Sequence, residues 1–331
     1  MTGVRARDVW QDGDMKPERQ RREPKHASPR SEQIDIRTSD GWSLRTDVHE
    51  PAGAAIGTAV LAHALMARRS EFDRPPGAGV RQLLVDRGWR VVAFDFRGHG
   101  DSGPLAGQGG TFGYDDCVQR DLPAVFAFAR ATGERKRPVL IVGHSLGGHA
   151  ALAAQAAELV AFDGVVVAGA NVWIRAFEPS APRWLIKRAS IFGASTVSRR
   201  LGRFPARALR LGSDDEACAL LCDFERFART GLWKSADGAI DYLSSLARVR
   251  VPVLQVVSDG DRFECTPECG QRFVARCGGP YEVLRIARGD DGGPPPDHMG
   301  MVTSGRARST WARAEAWMRA CSIDRSDSSR T

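Results

Sequence analysis

The sequence predicts an α/β fold: a mostly parallel central sheet with an antiparallel N-terminal hairpin, helices on both faces and a helical insertion before the last two strands. Two strand-like segments, 34–38 and 43–48, are joined through Asp40 and Gly41, a pair suited to a tight turn. From residue 57 onward, short apolar runs alternate with helical stretches, which is typical of a parallel sheet covered on both faces. The apolar runs are 57–65, 89–96, 138–142, 164–168, 251–257 and 281–286, and the helical stretches are 78–87, 115–132, 146–159, 266–276 and 306–320.

Residues 171–248 interrupt this alternation. They contain aromatic and aliphatic residues among many arginines and no strand-like run of comparable length. An insertion of this size is most simply a helical cap over the carboxyl ends of the strands, where open α/β sheets bind ligands. We therefore predict a core of 33–170 and 249–322, a cap of 171–248, a disordered basic tail of 1–32 and a polar C-terminal tail of 323–331.

Composition excludes several classes of protein. No apolar run approaches the roughly 18 residues that a spanning helix needs, and mean hydropathy is −0.30, so no transmembrane segment is expected. The formal charge of +7 is not accompanied by an aromatic and basic recognition motif, and nucleic acid is not an expected partner. Seven cysteines in a chain without a signal-like apolar segment favour free thiols and a cytoplasmic location. The oligomeric state stays open.

The segment that follows the third apolar run carries the strongest chemical signal. Gly143, Ser145 and Gly147 form a G-x-S-x-G pattern between an apolar strand and an alanine-rich helical run. A strand-to-helix turn this tight exposes the serine Oγ. It requires residues without side chains two positions before and two positions after the serine. Ser145 is therefore the predicted nucleophile.

A serine hydroxyl needs a base, and the base needs an orienting acid. Besides His149, which falls within the predicted helix, His298 is the only histidine after Ser145. Asp261 follows the next-to-last predicted strand, at a loop position from which a carboxylate can reach an imidazole. Asp259 is the alternative, and we assign it to the turn. The order serine, aspartate, histidine fits the pattern.

Two backbone amides must face the developing oxyanion. Leu146, directly after the nucleophile, supplies one, and the loop after the first parallel strand supplies the other through Leu65 or Met66. The predicted substrate pocket consists of residues beside these positions and of cap aromatics: Met66, His144, Trp173, Phe177 and Met299.

Taken together, these segments resemble the α/β-hydrolase superfamily from residue 33 to the C-terminal helix. The segment from Asp95 to Ser102 is similar to a tight structural loop of cap-bearing esterases and lipases. Within the superfamily, the chain is most similar to a bacterial group of predicted hydrolases without defined substrates. The segments that carry the resemblance are 60–65, 95–102, 121–124, 143–148 and 224–229, with Asp261 and His298.

The resemblance implies a serine hydrolase that cleaves a carboxylic ester of a small molecule through an acyl-enzyme. It implies no cofactor, and the spacing of Cys265 and Cys269 fits a buried helix face better than a metal site. A thioesterase, an amidase or peptidase, a perhydrolase and an acyltransferase stay open as alternatives that use the same three side chains. A non-catalytic binding protein on the same fold is the alternative of a different class.

Overall fold

The computed structural model describes residues 30–328, and its centre is an eight-stranded sheet with the order β1-β2-β4-β3-β5-β6-β9-β10. The first two pairings in this order, β1 with β2 and β2 with β4, are antiparallel, and the others are parallel. β7 and β8 form a separate two-stranded ladder. The strands are β1 Arg30–Arg37, β2 Ser43–Glu50, β3 Thr58–Ala62, β4 Arg90–Phe94, β5 Val139–His144, β6 Gly164–Ala168, β7 Arg203–Phe204, β8 Glu216–Ala217, β9 Val253–Ser258 and β10 Tyr281–Ile286.

Helices cover both faces of the sheet. Along β3, Val60 and Ala62 pack into one hydrophobic cluster while Ala59 and Leu61 pack into another, because successive strand side chains point to opposite faces. α3 and α4 contribute to the first cluster, and α1 and α10 contribute to the second. The helices are α1 Val80–Asp86, α2 Tyr114–Asp116, α3 Leu122–Thr132, α4 Leu146–Ala156, α5 Ala181–Leu201, α6 Cys218–Thr230, α7 Tyr242–Ser245, α8 Pro267–Val274, α9 Gly300–Thr303 and α10 Arg308–Ser328.

The predicted fold class is confirmed: the sheet is mostly parallel, and its antiparallel hairpin lies at the N-terminal end. Two boundaries differ from the prediction. Residues 30–32 belong to β1, and α10 continues to Ser328, into the segment predicted as a polar tail. The rest of the predicted basic tail, residues 1–29, lies outside the described residues.

The chain between β6 and β9 contains α5, the β7–β8 ladder, α6 and α7. Trp184 and Ile191 of α5 pack with Ala228 of α6 in a small cluster of their own, which Trp173 and Phe224 border. The ladder is absent from the sequence prediction because each of its strands has only two residues. The interpretation of 171–248 as a cap stays a prediction.

The parallel strands determine where the candidate site lies. The carboxyl ends of β3, β5, β6 and β9 meet at one edge of the sheet, so the loops that follow them come close together. Among the described residues, no helix is long and apolar enough to cross a membrane.

Candidate active site

Ser145 lies between β5 and α4 in a strained backbone conformation, with φ 49° and ψ −109°. The turn requires the two glycines around it. A Cβ atom at Gly143 would lie 2.5 Å from the backbone of Gly147, and one at Gly147 would lie 2.1 Å from the carbonyl oxygen of Ala62. The Ser145 side chain is half-buried, so a tight turn presents a reachable hydroxyl.

The backbone of this turn is tied to the neighbouring strand. The Ser145 amide donates to the carbonyl of Ala168 at the end of β6, at 2.9 Å. His298 lies beside the next residue, since a Cβ atom built on Gly169 would be 2.9 Å from Cε1 of the imidazole. The serine and the histidine are thereby brought to the same edge of the sheet. Among residues 30–328, the Ser145 hydroxyl forms no side-chain hydrogen bond.

His298 and Asp261 are joined directly. The distance from Nδ1 of His298 to an Asp261 carboxylate oxygen is 2.5 Å, and both residues are buried. The other Asp261 oxygen accepts a hydrogen bond from the Cys265 amide at 3.0 Å. This bond to Nδ1 leaves Nε2 of the imidazole as the atom that can exchange a proton.

The electrostatics of this pair favour a charged histidine. Burial opposes the positive charge, but the hydrogen bond and the negative charge of Asp261 outweigh it, so the pKa of His298 lies above its ordinary value. Burial also opposes the charge of Asp261, yet the bond to His298 holds the pKa of that carboxyl below its ordinary value. Together they stabilise an imidazolium against a carboxylate, which is the state reached after proton transfer from a nucleophile.

A second carboxyl group lies beside this pair. Loss of hydration raises the pKa of Glu264, and the neighbouring Asp261 charge adds to the effect. The oxygen and nitrogen atoms of Glu264, Asp261 and His298 that could bind a cation all lie within 4.8 Å of one another. Because an Asp261 oxygen already accepts the Nδ1 proton, a hydrogen-bonded acid and base cluster accounts for this arrangement without a metal.

His144 contacts the loop that carries His298. Its ring is fully buried, with Nε2 3.1 Å from the carbonyl oxygen of His298 and Nδ1 3.1 Å from a carboxylate oxygen of Glu71. The two imidazole rings lie 5.0 Å apart, centre to centre. His144 therefore contacts the loop that holds His298 and not a surface open to a ligand, which removes it from the predicted pocket.

The loop after β3 distinguishes between the two predicted amide donors. The Ala64 amide donates to Glu71 at 3.0 Å, and the Met66 amide donates to Glu216 at 3.3 Å. The Leu65 amide, which lies between them, has no acceptor among the described residues, and neither has the amide of Leu146. The geometry therefore favours Leu65 over Met66 as the partner of Leu146.

The remaining predicted positions are spread around the site. Phe177 is fully buried and packs edge-on against Phe273, with ring centres 5.2 Å apart, so its ring supports the core and lines no open surface. Trp173 is partly exposed and donates through its indole N–H to the carbonyl of Glu264. Met299, next to His298, is exposed.

Asp259 contacts Arg285 and makes no hydrogen bond or ion pair with His298 in the described part of the chain. It forms a two-pronged ion pair with Arg285 of β10, at 2.6 and 3.1 Å, and leaves the contact with His298 to Asp261. Sequence reasoning missed Glu71 and Glu216, which occupy the amides on either side of Leu65. No sequence pattern marks them, because each is an isolated glutamate whose partner is fixed only by the folded chain.

Comparisons with known proteins agree with the fold. An esterase from Pyrococcus furiosus superposes with a TM-score of 0.57 at 17% identity, covering 89% of this chain and 92% of its own. A hydrolase from Pseudomonas aeruginosa gives a TM-score of 0.55 at 18% identity, with coverages of 86% and 98%. An esterase from Exiguobacterium antarcticum gives 0.56 at 16%, with coverages of 85% and 98%. At these identities the likeness establishes the fold alone.

Sequence comparison assigns the family. A search of curated proteins finds no match. The sequence profile of the family described as serine aminopeptidase, S33, matches residues 78–289, which is more than half of the chain and spans β5, the Ser145 turn and Asp261. The chain therefore belongs to this family of α/β hydrolases.

Proposed function

We propose that this protein is a serine hydrolase that cleaves carboxylic esters through an acyl-enzyme. The observation that carries the proposal is the buried 2.5 Å contact between His298 and Asp261, at the same sheet edge as the strained Ser145 turn. The two unoccupied amides of Leu65 and Leu146 support it. Catalysis in this scheme uses only side chains and backbone groups of the chain.

The first half of the reaction acylates the serine. Oγ of Ser145 attacks the ester carbonyl carbon while Nε2 of His298 takes the hydroxyl proton. The carbonyl oxygen becomes an oxyanion, which the amides of Leu65 and Leu146 stabilise; the loss of one such donor typically costs about 3 to 4 kcal/mol. As the tetrahedral intermediate collapses, the bond to the alcohol oxygen breaks, and the imidazolium returns its proton to that alcohol.

The second half releases the acid. Water attacks the acyl carbon, gives a proton to Nε2 of His298, and forms a second tetrahedral intermediate. Its collapse breaks the bond to Oγ of Ser145, which recovers the proton, and the carboxylic acid leaves. The charge of Asp261 stabilises the imidazolium in both halves.

Amide hydrolysis is the second candidate. The family description, serine aminopeptidase, favours it, whereas the structural relatives from Pyrococcus furiosus and Exiguobacterium antarcticum are described as esterases. Both reactions use the same acylation chemistry, and an amide has the poorer leaving group. We place ester hydrolysis first for this chain. The experiment below tests amide substrates beside the esters.

A fluorophosphonate probe tests the nucleophile, and 4-nitrophenyl esters of increasing acyl length, compared with aminoacyl 4-nitroanilides, test the bond. We expect Ser145 to be labelled, a burst of nitrophenol before steady turnover, and faster cleavage of the esters. Ser145→Ala should lower kcat by about 10⁶-fold because the three side chains act as a unit. Ser190→Ala, at an exposed serine of α5, is the control.

Each alternative has its own outcome. Faster cleavage of the anilides than of the esters would replace the ester assignment by the amide one. Absence of probe labelling, together with unchanged turnover in Ser145→Ala, would overturn the serine mechanism itself.

A further inference from the structure

α5 differs from an ordinary surface helix because several of its large apolar side chains are exposed while a lysine and two serines are buried. Its outward side is rich in large apolar residues, and its inward side includes a lysine and two serines. The inward residues are Trp184, Lys187, Ile191, Ser195 and Ser198. The outward apolar residues are Leu185, Ile186, Phe192, Val197 and Leu201, with exposed fractions from 38% to 63%. We call this outward side the α5 face.

The polar side chains on the inward side already have hydrogen-bond partners. Rotating the helix would therefore add no hydrogen bond for them. Nζ of Lys187 lies 2.9 Å from a carboxylate oxygen of Glu178 and 3.2 Å from the carbonyl oxygen of Glu264. The hydroxyls of Ser195 and Ser198 donate to carbonyls of the helix itself. Turning the α5 face inward would break the lysine contacts and leave Glu178 short of a partner, which is costly for a buried charge. The fold therefore holds these apolar side chains in water.

Positive charge surrounds the α5 face. Eight arginines and lysines and no acidic residue occur between 183 and 210. Arg203 pairs with Asp215, and Arg199 reaches Glu225 at 3.4 Å. Four others form no ion pair with a described residue and are exposed: Arg188, Arg200, Arg207 and Arg210.

A groove between α5 and α6 opens onto the α5 face. Its volume is about 340 Å³, and most of its exposed lining is apolar, including Leu185, Phe192 and Ala228. Arg188 also lines the groove, as do Arg229 and Glu225, which form an ion pair with each other at 3.2 Å. An apolar groove with the unpaired guanidinium group of Arg188 beside it suits a hydrocarbon chain that carries an anionic head group.

We propose that the α5 face binds an anionic phospholipid surface. The apolar side chains enter the boundary between head groups and acyl chains, and the unpaired arginines contact the phosphates. A second copy of the chain fits the same face poorly, because a two-fold contact would place one arginine-rich surface against another. Lipid binding by this face is independent of the bond that the site cleaves.

Flotation of the full-length protein with vesicles tests the proposal. Vesicles of phosphatidylglycerol and phosphatidylcholine in equal parts should carry the protein, pure phosphatidylcholine vesicles should carry much less, and added salt should release it. Arg188→Gln with Arg200→Gln should lower the partition coefficient roughly 30-fold, at about tenfold per 1.4 kcal/mol and about 1 kcal/mol per arginine. Leu185→Ser with Phe192→Ser should lower it at least tenfold, since both side chains lose apolar contact area.

Matched control variants distinguish binding by the α5 face from the nonspecific effect of net charge or of any exposed apolar side chain. Arg276→Gln with Arg313→Gln removes the same charge from exposed positions on α10 and after α8, and Tyr281→Ser removes an exposed ring at the start of β10. Both should bind vesicles as the unaltered protein does.

Three results would overturn the proposal. One is equal binding to both kinds of vesicle, and the second is equal loss in the α5 variants and the controls. The third is a dimer in lipid-free solution, measured by sedimentation, that Leu185→Ser with Phe192→Ser dissociates, because a second copy would then cover the face.

Discussion

Replacement of Lys187 by methionine tests whether a buried ion pair holds α5 in place. Lys187 and Glu178 are each 1% exposed and lie 2.9 Å apart. Lys187 also donates to the carbonyl of Glu264 and lies over the ring of Trp173, 5.2 Å from its centre. Methionine keeps most of the side-chain volume and removes the charge, so the substitution leaves Glu178 buried without this partner.

The expected loss of stability follows from what Glu178 retains. Breaking a buried ion pair by removing one partner typically costs 3 to 5 kcal/mol. Arg183 still contacts Glu178 at 2.8 Å from a side chain that is partly exposed. We therefore take the lower end, about 3 kcal/mol in the free energy of unfolding, which corresponds to a fall in Tm of roughly 4 °C for a chain of this size.

Urea unfolding followed by tryptophan fluorescence measures the change. Glu178→Met with Lys187→Met should regain most of the loss, because an apolar pair in place of a buried ion pair is often neutral or stabilising. Arg199→Met is the control on the same helix. The Arg199 side chain is half-exposed and lies 3.4 Å from Glu225, so its replacement should lower the free energy of unfolding by less than about 1 kcal/mol. A loss below 1 kcal/mol in Lys187→Met, or a double variant less stable than the single one, would refute the reasoning.

Three further predictions concern the acid and base groups. Asp261→Asn removes the charge that stabilises the imidazolium and should lower kcat on the order of 10⁴-fold in steady-state assays, with unfolding curves confirming an intact fold. In pH profiles, kcat/KM should rise as the base deprotonates, with a midpoint above 6.5 because the pKa of His298 is raised; a midpoint below 6.5 would contradict this. His99 is fully buried 3.1 Å from Glu216, whose charge outweighs burial and raises the pKa of His99 to about 9. Its pairing should stabilise the fold fully below pH 6.5 and progressively less as pH rises to 9, and His99→Asn should flatten that part of a Tm profile against pH.

Two of the three proposed catalytic residues could be proposed from the sequence because they follow the ends of strands. Ser145 and Asp261 each follow an apolar run that becomes a buried parallel strand, and the histidine is nearly fixed by elimination. In the structure Asp261 contacts the imidazole and Asp259 faces Arg285, while the catalytic role of Asp261 stays a prediction.

The orientation of α5 lies beyond such reasoning. A rule that buries apolar residues would turn Leu185, Ile186 and Phe192 inward and leave Lys187 in solvent. The structure does the opposite because Glu178, in the loop before the helix, meets the lysine in the interior. Buried polar pairs of this kind leave no periodic trace in a sequence, and the same holds for the glutamates beside Leu65.

The attachment of the β7–β8 region to the loop after β3 limits how the inserted segment can move. The amide of Ser213 donates to the carbonyl of Met66 at 2.7 Å, and Arg68 forms a two-pronged ion pair with Asp214. Glu216 accepts from the Met66 amide. Any movement of the inserted segment at this end therefore either breaks these contacts or shifts the loop that carries the Leu65 amide.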